Sequence, residues 1–117
     1  MASHNWIDET SAPSLRFKRF EANVRQILRR VDIAKLERKY RDCLAQLSQN
    51  FVDIRIYVNA YELSEERPEQ LDNAKMAKKW LAEAHKNILK ASEAEVFGAA
   101  DVAHLSAQID QLKAGLK

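Results

Sequence analysis

The nitrogen and sulfur side chains of this 117-residue chain that are best suited to hold zinc or to attack as a thiolate–imidazole pair are Cys43, His4, His85 and His104. A cysteine nucleophile needs a neighbouring cation or histidine to hold it as thiolate, and a zinc site needs three or four nitrogen or sulfur donors at short spacings. Neither pattern is present. The histidines are far apart in the chain, and none stands one helical turn from a second His or Cys. In "EAH", residues 83–85, Glu83 and His85 project from different sides of a helix. Cys43 falls on an apolar seam, where a thiol packs as a small hydrophobe. Phosphate cradles need several glycines in one loop, and Gly98 and Gly115 are isolated. The reading is of a chain that is not an enzyme and carries no metal or cofactor.

The other chemistry on offer is electrostatic. In "SLRFKRFEANVRQILRR" Lys18, Arg25 and Arg29 share one helical stripe, with Arg19 and Arg30 on a second beside it. Such an array can neutralise nucleic-acid phosphates. Glu21 lies on its edge and no aromatic residue interleaves for base stacking, so an ordinary solvated face accounts for it as well. A second basic stripe, Lys75, Lys79, Lys86 and Lys90, gives a later helix its wet side. Charge is unevenly spread. Residues 14–42 hold ten Lys/Arg against four Asp/Glu, whereas residues 43–74 hold two against six. Two such segments suit each other folded face to face, and a basic face also suits an acidic partner.

The elements that must carry these groups are helices. The segment "QNFVDIRIYVNAYEL", residues 49–63, fits two periods: in twos it is a half-buried strand, and in threes and fours it extends a seam through Leu47, Phe51, Ile54, Val58 and Tyr61. A lone strand leaves its backbone groups unpaired, and no other segment alternates, so the helix is the expectation. Ser14 is expected to cap a first helix, about 14–31, with Phe17, Phe20, Val24, Ile27 and Val31 on its seam. The phase shifts at Asp32, a kink or a break, before a run from 33 to 63 that would be about 45 Å long at ~1.5 Å per residue. Pro68, with Glu69 and Asp72 behind it, opens another helix whose seam is Ala74, Ala77, Leu81, Ala84, Ile88 and Ala91. Gly98 interrupts or dents it, and Val102, Leu105, Ile109, Leu112 and Leu116 follow. The fold class is all-α: a long helical hairpin or a three- to four-helix bundle with coiled-coil-like seams, preceded by a flexible tail over 1–13. Two glycines and two prolines leave little material for sheets or long loops.

One helix is too apolar for one seam. Val52, Ile56 and Leu63 lie away from Phe51, Ile54 and Val58, and a helix apolar on two sides is either central or shared. The set Phe51, Val52, Ile54, Ile56, Val58, Tyr61 and Leu63 is therefore the expected partner interface. A single cysteine permits no internal disulfide, and no apolar run reaches the length of a membrane span or signal segment, so the expected location is the cytoplasm. The expected function is protein–protein interaction, with self-association or a partner helix. The alternative is a small nucleic-acid-binding accessory protein using Lys18, Arg19, Arg25, Arg29 and Arg30.

Overall fold

A computed structural model describes residues 12–117. Four helices follow in order: α1 (Pro13–Leu28), α2 (Arg38–Leu63), α3 (Arg67–Ser92) and α4 (Ala99–Ala114), with a single 3₁₀ turn at Ile33–Lys35 between the first two. The chain is an all-α bundle. Each helix runs antiparallel to the next: Ser14 meets Glu62, Tyr40 meets Glu93, and Arg67 meets Lys117. The ring closes because α1 packs on α2 and α4, and α3 packs on the same two. Residues 49–63 are helical. The expected tail over 1–13 lies outside the described residues, apart from Ala12 and Pro13.

Several boundaries move relative to the sequence reading, each for a local reason. Ser14 does not cap α1. Ala12 holds the cap position and Pro13 opens the first turn, where its missing N–H costs no hydrogen bond. Ser14 instead donates from its backbone N–H and its hydroxyl to the Glu62 carboxylate, at 2.7 and 2.9 Å, fastening α1 to the end of α2. The first helix stops at Leu28 rather than about 31, and Asp32 marks a full break. The long helix consequently starts at Arg38, and its 26 residues span about 39 Å at ~1.5 Å per residue. Val31 and Leu36 still pack against the core from the connector.

The α2–α3 hairpin is the most extensive contact in the fold. Leu47, Ile54 and Val58 face a third-helix seam of Ala74, Ala77, Leu81, Ala84, Ile88 and Ala91, all buried. Alanine has no side chain beyond its β-carbon, so the two backbones can approach closely. A polar chain crosses this seam: Asn87 donates its amide to Asn50 Oδ1 at 2.7 Å, and Cys43 Sγ donates to the Asn87 carbonyl at 3.0 Å. On the other side of α2, Phe17, Phe20 and Phe51 form a cluster, with Phe51 edge-on to the other two rings at 5.8 and 5.9 Å. Edge-to-face pairs add about 0.5–1.5 kcal/mol beyond their buried area.

The last long run is interrupted, but ahead of Gly98 rather than at it. The chain leaves the helix after Ser92, and Glu95 adopts φ 61°, a left-handed conformation that reverses the chain. That reversal tucks Val96 and Phe97 under the bundle, both buried. Gly98 then stands at the start of α4, which buries Leu105, Ile109 and Leu112. The far end of α4 is closed by Arg16, whose guanidinium lies against Gly115 so tightly that a β-carbon there would collide with it.

Candidate protein-protein interface

Among the described residues the α2 helix touches α3 on one flank and α1 on another, and its third side is uncovered. Ala45, Ser48, Val52, Ile56, Asn59 and Leu63 recur there at steps of 3, 4, 4, 3 and 4, all exposed. Val52 is 41%, Ile56 56% and Leu63 80% exposed. The stripe from Ala45 to Leu63 is about 27 Å long at ~1.5 Å per residue. It is extended at one end by Leu15 of α1, 54% exposed, which shares a recess of about 280 Å³ with Lys18, Glu21, Arg55 and Asn59. At the other end Ser48 borders an open recess of about 370 Å³ with Leu28 and Ile33, the latter 40% exposed. Solvent-exposed apolar side chains scattered singly are ordinary, but a row of them along one helix is not.

The seven residues expected at an interface therefore divide. Phe51, Ile54 and Val58 are at most 2% exposed and belong to the intrachain core, which corrects their assignment. Tyr61 is half-buried against that core, and its hydroxyl donates to the Lys117 carbonyl at 3.1 Å. Only Val52, Ile56 and Leu63 stay outside. Leu15 and Ile33 join them without having been foreseen. For Leu15 the signal was weak, a single apolar residue out of phase with its helix seam, and Ile33 lies in the 3₁₀ turn, where no helical phase marks it.

An ion-pair cluster borders the stripe where α1 meets α2. Glu21 is nearly buried, and its Oε2 accepts from Arg25 Nε and Nη2 at 3.0 and 2.7 Å. Arg55, from the flank of α2, places Nε 3.6 Å from the other carboxylate oxygen. The Arg25 guanidinium also lies 5.9 Å from the centre of the Phe51 ring. A carboxylate this far from water is tolerable only because both arginines and the hydrogen bonds compensate its lost hydration. The cluster fixes the register of α1 on α2, and with it the position of Leu15 beside the stripe.

The basic residues of α1 are not all placed alike. Lys18, Arg19, Arg29 and Arg30 are exposed, but Arg29 and Arg30 lie past the helix end and Arg25 is committed to Glu21. The α1 and α3 helices occupy diagonal corners of the bundle, so the Lys75/Lys79/Lys86/Lys90 stripe points away from them. Burial pushes the Cys43 thiol up from its ordinary value, an effect larger than the opposing pull of Lys90. His85 Nε2 lies 2.9 Å from Ser106 Oγ and ties α3 to α4. Among the described residues no group of three His, Cys, Asp or Glu is placed to hold a metal ion, and no helix is long and apolar enough to cross a membrane. Compared with family models, curated proteins and solved structures, the chain matches none.

Proposed function

We propose that this chain works by binding protein, as a non-enzymatic helical interaction module that self-associates through the outer face of α2. The observation that carries the reading is the row Val52, Ile56 and Leu63, left open on a helix whose inner face is already covered. Covering a side chain of this kind contributes about 1.5–3 kcal/mol when burial is complete. In a symmetric pair every residue of the patch counts twice, which is how a short stripe overcomes the association cost of at least ~4 kcal/mol. Adaptors, inhibitors and assembly factors all use such a face.

Sedimentation or light scattering tests this directly. The wild-type chain is expected to show a concentration-dependent mass rising to two chains. Ile56→Asp is expected to leave a single chain with unchanged helicity by circular dichroism. A wild-type mass of one chain at every concentration, or a variant that loses helicity along with association, would sink the reading. The alternative, nucleic-acid binding by α1, has the exposure of Lys18, Arg19, Arg29 and Arg30 in its favour. A duplex titration over a salt series separates the two, because phosphate binding weakens steeply with salt and apolar association does not.

A further inference from the structure

We infer that the occupant of this face is a second copy of α2, laid antiparallel to the first across a two-fold axis at Val52. The inference rests on the self-association reading and adds its geometry. Charge chooses the direction. On the exposed arc Arg38 and Arg41 stand at the start of the helix, and Glu62 stands at its end with Glu66 just beyond. A parallel pair sets Arg41 beside the partner's Arg41 and Glu62 beside the partner's Glu62. Both ends then repel. An antiparallel pair sets the basic end of each helix against the acidic end of the other, twice, and opposes the two helix dipoles favourably as well.

The spacing of side chains fixes where the axis falls. Arg41 and Leu63 lie eleven residues to either side of Val52. Centred there, each Val52 meets its own symmetry mate. Each Ile56 drops into the hole formed by the partner's Ala45, Ser48, Gln49 and Val52, where two small residues leave room for it. Arg41 comes to lie beside the partner's Leu63, its aliphatic stem along the leucine and its guanidinium near the partner's Glu62, whose carboxylate keeps its hydrogen bonds from the uncharged Ser14. Asp42 already pairs with Arg38 within its own chain at 3.8 Å and sits on the flank, leaving Arg41 to make the contact across the axis.

Cross-linking of the full chain reads this orientation. With Cys43→Ser as background, Val52→Cys, Leu63→Cys and Arg41→Cys each give a single thiol, and a short bis-maleimide reports which pairs come close. Val52→Cys is expected to link to itself. Leu63→Cys is expected to link to an equal amount of Arg41→Cys at least about tenfold more than to itself, since its own mate is about 33 Å away at ~1.5 Å per residue. Arg41→Glu should weaken the dimer about tenfold at low salt and by less at high salt. Self-linking of Leu63→Cys would overturn the antiparallel arrangement while leaving self-association through α2 intact. A dimer that persists in Ile56→Asp, or a wild type that never dimerises, would overturn both.

Discussion

The two faces of α2 use the same residue types and meet different fates. Phe51, Ile54 and Val58 are sealed inside the bundle, while Val52, Ile56 and Leu63, interleaved with them in sequence, stay in water. Hydrophobicity alone does not separate the sets. Their difference is phase: the inner set shares a helical face with Tyr40, Leu44 and Leu47, and therefore meets α1 and α3, whereas the outer set shares a face with Ala45, Ser48 and Asn59. The first set maintains the fold, and the second is available for use without endangering it.

Substitutions can break or sharpen that contrast. The largest effect belongs to the inner face: Phe51→Ala removes the ring at the centre of the phenylalanine cluster and is expected to cost about 3–5 kcal/mol in chemical denaturation. If it costs no more than an outer-face change, the assignment of faces is wrong. Next comes the border between them. Arg25→Ala strips a nearly buried Glu21 of its two shortest hydrogen bonds and is expected to cost about 2 kcal/mol. Glu21→Leu, which leaves only half-exposed arginines unpaired, should cost under about 1 kcal/mol by the same measurement. Equal costs would show that packing, not the charge, holds α1 there.

Smaller still is the effect of pH on Cys43. Its thiol is pushed up in the folded chain, so the unfolded chain loses that proton first and binds fewer protons in the interval between the two values. Stability therefore falls as pH rises above the ordinary thiol value of about 8.5, and levels once the folded thiol also ionises. Melting wild type beside Cys43→Ala from neutral to alkaline pH isolates the term. Parallel curves would exclude it.

Much of this architecture was legible in the chain. Pro68 opens α3 and the alanine-rich seam is buried as its period implied, because those features are local. The partition of 51–63 was not, since a single helix carries two apolar faces and only its neighbours decide which is covered. Phe97 escaped because its burial depends on the left-handed turn at Glu95 rather than on any period. Arg16 and Gly115 are about a hundred residues apart and meet only after α1 and α4 have docked. Of the candidate interface, Val52, Ile56 and Leu63 were visible as residues out of phase, and Leu15 and Ile33 lacked enough neighbours of their own kind to form a pattern.

The alanine seam of α3 also bears on the order of assembly. A methyl group has no rotamers to freeze, so closing α3 onto α2 orders the large side chains of only one partner over most of its length. The two helices are joined by three residues, which keeps the loop-closure cost low as well. The hairpin is thus the segment best placed to form early, with α1 docking later from its longer tether. Ala84→Gly should accordingly slow folding, whereas a truncation at Phe20 should chiefly speed unfolding, in stopped-flow measurements.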